Sequence, residues 1–363
     1  MKIPVRNLYY LLCYAWDKLE ESRIVAVDDS DYEHLVNLFA RVLSSGLEHL
    51  LKRGLDQGYQ EHREVCPGVR GRIDFAASIK AHLFPLGRAA CVFEELTHDV
   101  LHNRILAQTV SNLLQADELD PALGEELRAC LARMAEISAI RLDVAAFSRV
   151  QLHSNNGLYS FLLQICRLIY DVSVVDEKTG RLRFRDFTRE DAQMASLFER
   201  FLLNFYRREQ RAFRVRSETL QWQEAVGDLQ DLEYLPRMRT DVSLESSSRK
   251  IVIDAKYYRV PMQSNFGKDT VRSGHLYQLL TYLKNVEWSS GSRAKAEGIL
   301  LYPLVDRPLN LQFTIQGHLV RVATIDLAQE WREIHECLLD LIAPASASAQ
   351  RTGTEPSVAP TYR

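Results

Sequence analysis

Along this chain the spacing of apolar residues changes character near the middle. In the first half, a 3.6-residue stripe runs through Val5 to Lys18, Asp31 to Arg53, Asn103 to Gln115 and Pro121 to Glu136, which predicts four amphipathic helices. Between the second and third lies a segment from Tyr59 to about Leu96, rich in strand formers and punctuated by Pro67, Gly68 and Gly71. Further on, V-S-V-V and R-L-R-F-R flank Asp176-Glu177-Lys178-Thr179-Gly180, a polar tip that predicts a hairpin turn. A helical stripe from Arg189 to Gln210 places Met194, Leu197, Phe198, Phe201, Leu202 and Phe205 on one side, with Glu199 close to it. Two short runs, Arg237 to Leu244 and Lys250 to Tyr258, are separated by S-S-S-R and read as adjacent antiparallel strands. The expected class is α+β: a mainly helical N-terminal domain with a β-rich insertion over 1–187, and a second, α/β domain over 188–343. The small, polar, proline-containing stretch 344–363 is expected to be disordered.

Chemistry concentrates on the paired strands. Pairing would bring Asp241 near Asp254, and two carboxylates a few ångströms apart repel unless a cation lies between them. Side chains alternate along a strand, so Asp254 and Lys256 share a face while Ala255 points away. An Asp-x-Lys triplet alone is a weak signal; Asp176-Glu177-Lys178 fits it and runs directly into a turn. The second triplet differs in having an apolar strand before it and an upstream Asp on a neighbouring strand. A strand-end ion pair without function is the alternative. Glu199 can reach such a site or be a solvated helix acid. In H-L-Y-Q-L-L-T-Y-L, Gln278 and Tyr282 stand at i, i+4 on one helix face, able to address a phosphate or the lysine, or to form a polar edge of a core helix.

Bulk properties narrow the field. With 363 residues, 46% of them hydrophobic, the chain can bury a sizeable core. No apolar run approaches the ~18 residues of a membrane span, and the N-terminus has no signal-peptide pattern, so a cytoplasmic protein with no membrane partner is expected. Its six cysteines, at 13, 66, 91, 130, 166 and 337, form no C-x-x-C pair and read as buried thiols. Net charge is −3, yet between Arg181 and Arg216 ten arginines face five acids. Arg207, Arg208, Arg211, Arg214 and Arg216, interleaved with Tyr206 and Phe213, could hold a DNA backbone against the metal site; a solvated face is the alternative. His98-x-x-x-His102 lacks a zinc protease's glutamate, and Gly267-Lys268-Asp269-Thr270 lacks the pattern of a phosphate-binding loop, so the chain is expected to bind no nucleotide itself.

An acid on a helix, Asp on a strand, Asp-x-Lys on the next strand and Gln-xxx-Tyr on a helix together resemble the PD-(D/E)xK nuclease superfamily. More narrowly, the chain resembles McrC, the nuclease subunit of modification-dependent McrBC restriction systems. That likeness is carried by I-P-V-R-N-L-Y-Y-L-L-C-Y-A-W from Ile3, P-G-V-R-G-R-I-D-F from Pro67, L-F-E-R-F-L-L-N-F-Y-R-R-E from Leu197 and L-P-R-M-R-T-D from Leu235. It continues through I-D-A-K-Y-Y, L-Y-Q-L-L-T-Y-L, L-L-Y-P from Leu300, and Gln329-Glu330-Trp331. Thr240 stands where the superfamily has Pro. The resemblance implies that Asp241, Asp254 and the Ala255 carbonyl, with Glu199, hold Mg²⁺, for which Mn²⁺ can substitute, with Lys256, Gln278 and Tyr282 completing the site. It implies an endonuclease acting on double-stranded methylated DNA in antiviral restriction, with a McrB-like AAA+ GTPase hexamer docked on the first domain and stimulated by it. A non-cleaving GTPase-activating subunit and a standalone DNA-end-processing nuclease are the alternatives.

Overall fold

The computed structural model describes residues 3–22, 34–153, 156–175, 182–184, 191–223, 225–258, 262–265, 268–290, 295–305 and 307–344. The predicted hairpin tip at 176–180 and the tail beyond residue 344 lie outside these; Ser173–Val175 and Leu182–Phe184, on either side of the tip, pair antiparallel. Two compact units divide the chain: Glu20–Asp186, and Phe187–Arg363 together with Met1–Leu19. The opening residues Met1–Leu19 group with the C-terminal residues, and the other break lies between Asp186 and Phe187.

In the unit Glu20–Asp186, helices Leu35–Arg53, Leu101–Leu113, Pro121–Ala132 and Gly157–Val172 pack around fully buried Phe39, Leu43, Leu47, Ile105, Leu106, Leu127, Phe161 and Ile165. The sequence expectation omits the helix Gly157–Val172, although its stripe of Phe161, Leu162, Ile165, Cys166 and Ile169 is regular. The β insertion is a long antiparallel pair, Gly58–Pro67 against Arg88–Thr97, with the short strand Arg72–Ile73 added beside Val92 and Cys91. The motif P-G-V-R-G turns here: Gly68 and Gly71 have φ of +92° and +64°, and a Cβ on Gly71 would lie 2.6 Å from the Val92 carbonyl oxygen. His98 and His102 are tied to the loop at Asp56, His102 Nε2 lying 3.2 Å from Asp56 Oδ2, so this pair is structural rather than a metal site.

The other unit is built on a six-stranded mixed sheet. Its labelled elements are α1 (Val5–Ala15), α2 (Asp191–Glu209), β1 (Arg214–Arg216), β2 (Val242–Glu245), β3 (Lys250–Ala255), α3 (Ser273–Ser290), β4 (Glu297–Pro303), β5 (Asn310–Ile315), β6 (His318–Ile325) and α4 (Trp331–Ile342). Strand order is β5-β6-β4-β3-β2-β1, with β3, β4 and β6 parallel and the remaining pairs antiparallel. Strands β3 and β4 are buried on both faces, as the centre of such a sheet requires, with Asp254 the buried charge on β3. Helix α3 lies close on β4: a Cβ on Gly298 would come within 2.9 Å of Leu279 and Leu283 side-chain carbons.

Helix α1 is seated by an aromatic core. Tyr10 stacks on Trp331 with ring centroids 4.8 Å apart, and Tyr14 meets Phe201 edge-on at 5.7 Å. The Asn7 amide donates to the carbonyls of Leu327 and Gln329 at 2.8 and 2.7 Å, and Asn204 donates to Tyr14 O at 3.0 Å. Two motifs from opposite ends of the chain, the opening run and Gln329-Glu330-Trp331, thus form one packed feature. None of the described helices is long and apolar enough to cross a membrane. The described cysteines are all free, four of them buried.

Candidate active site

The expected strand Arg237 to Leu244 is broken in two. Met238–Arg239 pairs with Thr219–Leu220, while β2 begins at Val242 and pairs with β3. Between them Thr240 is fully buried: its N–H donates to the Glu218 carbonyl at 2.9 Å and its hydroxyl lies 2.9 Å from that of Ser243. These bonds draw the backbone away from the ladder and aim the next side chain, Asp241, across the end of β3. Asp241 Oδ2 accepts from the Ala255 N–H at 2.8 Å, so the carboxylate clips the two strands where Val242 faces Ile253. Asp254 sits beside it at the carboxyl end of the parallel strands, the place where open α/β sheets form crevices.

Asp254 is only 1% exposed, and Lys256 Nζ lies 3.0 Å from its Oδ1 and 2.9 Å from its Oδ2. Oδ2 nevertheless has no well-directed hydrogen bond, leaving a buried charged oxygen incompletely satisfied. Burial pushes the Asp254 carboxyl up to about 7 against the pull of Lys256, and the negative charges of Asp241 and Glu199 add to the rise. Burial also raises Asp241, though the Ala255 N–H and Lys256 act the other way. Glu199 is raised by burial and then by Asp241. Burial opposes the charge on Lys256, but Asp254 and Asp241 outweigh it and hold the ammonium protonated. All three acids remain raised despite Lys256 and the nearby arginines, with Asp254 lifted further by its two acidic neighbours, so the centre is short of positive charge.

Hard carboxylate oxygens in such a setting suit a divalent cation of the Mg²⁺ class, and the incompletely satisfied Asp254 Oδ2 is a ready ligand atom. Among the described residues no group of three His, Cys, Asp or Glu side chains converges tightly enough to enclose a metal. Two aspartates with a partly open shell would suit Mg²⁺, an ion that retains several waters.

Helix α3 brings a second layer. Gln278 Nε2 donates to the Tyr282 hydroxyl at 2.6 Å, and the electrostatic partners of Tyr282 are Asp254, Asp241 and Lys256. One residue the sequence reading passed over stands on the same face: His275 Nδ1 lies 2.9 Å from the hydroxyl of fully buried Tyr302. Burial, then Lys256 and Arg272, push the imidazole down to about 4, so it is neutral at physiological pH. The i, i+3, i+7 spacing of His275, Gln278 and Tyr282 was readable; that a buried Tyr would meet the histidine was not.

The five arginines do not gather at this centre. Arg208 pairs with Asp17 at 2.7 Å, and Arg216 with Glu218 and with Glu245, the latter at 2.7 Å. Arg214 faces Glu245, which faces Lys250, so it lies roughly 13 Å along the strands from Asp254. Arg207 and Arg208 are about as far from Glu199 along α2. Tyr206 is fully buried and donates its hydroxyl to the Leu338 carbonyl at 2.8 Å, so it offers no stacking surface. A cleft of about 320 Å³, lined by Ser196, Glu199, Arg200, Leu203, Ser217, Arg239, Thr240 and Asp241, opens at the acids instead.

The family model described as McrBC 5-methylcytosine restriction system component matches residues 5–303. The chain is 33% identical over 339 residues, 93% of its own length and 97% of the relative's, to the type IV methyl-directed restriction enzyme EcoKMcrBC of Escherichia coli K12. It also resembles a chain in the Thermococcus gammatolerans assembly of McrB AAA+ hexamers with bound McrC, with a TM-score of 0.58 at 17% identity, covering 93% of this chain and 76% of that one. That structural likeness supports the mixed α+β fold. On the family match and the near full-length identity, the chain belongs to the McrBC family of 5-methylcytosine restriction system components.

Proposed function

We propose that the chain is the Mg²⁺-dependent endonuclease subunit of a 5-methylcytosine-specific restriction complex, with a PD-(D/E)xK catalytic core. The observation that carries this reading is the junction of β2 and β3, where Asp241 is clipped onto Ala255 N–H at 2.8 Å beside the buried Asp254–Lys256 pair. Asp241, Asp254 and the Ala255 carbonyl, with Glu199 at the rim, would hold the ion. Bound there, Mg²⁺ supplies a Lewis acid that acidifies a water and offsets charge developing on the scissile phosphate. Lys256, kept protonated by its two aspartates, orients that water and steadies the charge of the transition state. Tyr282, fixed by Gln278, adds to the electrostatic surroundings of Lys256.

DNA cleavage is assigned to the complex with a McrB-like AAA+ GTPase, in keeping with the assembly of the Thermococcus relative, and the chain stimulates that partner's GTP hydrolysis. The unit Glu20–Asp186 is the part proposed to dock. Eight large hydrophobic residues from Tyr59 to Leu96, among them Tyr59, Val69, Phe75, Ile79 and Leu86, are exposed there and would supply apolar contacts to a docked partner. Calorimetric titration of metal-free protein with Mg²⁺ or Mn²⁺ tests the metal assignment. One binding event that disappears in Asp241→Asn and in Asp254→Asn is expected; unchanged binding in both variants would remove it.

A further inference from the structure

The cleft beside Asp241 contains a feature that the proposed chemistry does not use. Arg200, one residue beyond Glu199 on α2, and Arg239, two residues before Asp241, both line it, and both are exposed. Neither makes an ion pair with a carboxylate among the described residues, unlike Arg208 and Arg216. The two arginines are nonetheless close enough to Glu199 to lower its proton affinity, and Arg239 does the same for Asp241. Arg239 is held in an informative way. Its Nε donates to the Ser217 hydroxyl at 3.0 Å, and that hydroxyl donates in turn to the Thr240 carbonyl at 2.6 Å. Anchoring through Nε fixes the plane of the guanidinium while leaving both terminal nitrogens free to form a fork, the geometry that recognises a phosphate through two parallel hydrogen bonds.

We propose that Arg239, oriented by Ser217, and Arg200 grip a backbone phosphate of the DNA strand lying in this cleft, next to the scissile position. The proposal rests on the nuclease reading above and replaces the distant arginine run as the contact nearest the reacting phosphate. Anionic DNA is the fitting occupant because the cleft joins two arginines that form no ion pair among the described residues to a carboxylate centre that a metal would neutralise. Arg239 and Arg200 contact substrate, whereas Ser217 is a positioning residue that acts through Arg239. A phosphate contact of this kind carries no base information, so the grip is independent of sequence.

The test uses the full chain carrying Asp254→Asn, which holds DNA uncut, and measures binding to a short labelled duplex over a range of KCl concentrations. Arg239→Ala and Arg200→Ala are each expected to weaken binding by about tenfold, the scale of one charge-assisted contact. Each should also lower the slope of log affinity against log salt by about 0.9. Arg239→Lys is expected to restore the slope but not the affinity, since it retains charge and loses the fork. Ser217→Ala should weaken affinity with the slope intact, because the charge remains. Arg332→Ala, an exposed arginine on α4, controls for general loss of charge and should change neither, as should a thermal melt of each variant. In the otherwise unmodified chain, assayed for cleavage with its GTPase partner, Arg239→Ala should raise KM more than it lowers kcat. Unchanged affinity and slope in both arginine variants would overturn the grip. If Asp254→Asn alone leaves cleavage intact, it is the nuclease reading that fails, so the two failures are distinct.

Discussion

In the metal-free protein, replacing Asp254 by Asn should change stability with a pH dependence of opposite sign to that expected from removing an ordinary ion-paired carboxylate. An ordinary carboxyl titrates near 3.9 in an unfolded chain, whereas burial holds Asp254 near 7 in the fold. Over that window the native state keeps a proton that the unfolded chain has released, so folding is favoured at low pH and loses that advantage as pH rises through 7. Each unit is worth about 1.4 kcal/mol, and integrating between pH 5 and pH 8 gives roughly 2.6 kcal/mol for this group. Asn carries no charge at any of these values. The variant should therefore gain on wild type by about 2.6 kcal/mol from pH 5 to pH 8, whatever constant offset the lost contact with Lys256 introduces. Denaturant unfolding of both proteins in EDTA at pH 5, 6, 7 and 8 measures the difference. Adding Mg²⁺ at ten times its dissociation constant should return about 1.4 kcal/mol to wild type at pH 8 and nothing to the variant. A difference that stays flat across the pH range would refute the claim that Asp254 is buried with too little compensating charge.

Other consequences are equally direct. Asn7→Ala leaves the carbonyls of Leu327 and Gln329 without their donor; a loss of about 2–3 kcal/mol by denaturant unfolding is expected. Residues 187–363 expressed without the first 19 should be insoluble or molten by near-ultraviolet circular dichroism, because Trp331, Phe201 and Phe205 would lose their cover from α1; a well-folded fragment would contradict the assignment of α1 to this unit. Gly298→Val must push aside Leu279 and Leu283 and is expected to lower stability by about 2–3 kcal/mol through overpacking. Tyr282→Phe removes the hydroxyl that Gln278 holds at 2.6 Å, and should reduce kcat for cleavage about tenfold with little change in melting temperature, the size of one lost hydrogen bond beside a charged group.

That Asp241 comes near Asp254 was legible because the two runs read as neighbouring strands and the S-S-S-R between them as a turn. What remained hidden was the device that aims Asp241: besides its local contact with Ser243, Thr240 leaves the ladder for Glu218, a partner from a separate segment whose proximity no local pattern encodes. The helix α1 was read correctly as amphipathic, yet its stripe does not say which apolar surface it covers, and the partner lay more than three hundred residues away at Leu327 and Gln329. The placement of the arginine run was hidden for a related reason. Counting charges along the chain ignores that Asp17, Glu218 and Glu245 already neutralise Arg208 and Arg216, while Arg200 and Arg239, unremarkable in sequence, stand at the acids. Tyr206 shows the limit of reading an aromatic beside basic residues as a stacking platform, since its helical phase places it in the core.

The decisive measurement is cleavage of cytosine-methylated plasmid by this chain with a McrB-like GTPase, GTP and Mg²⁺, comparing wild type with Asp254→Ala while following GTP turnover in the same tubes. Wild type should cut and the variant should not, with the partner's GTP hydrolysis raised equally by both. Equal cutting by the two proteins would show that the centre at Asp241, Asp254 and Lys256 is not the nuclease site, and GTPase stimulation without cutting by either would show a chain whose role is to activate its partner alone.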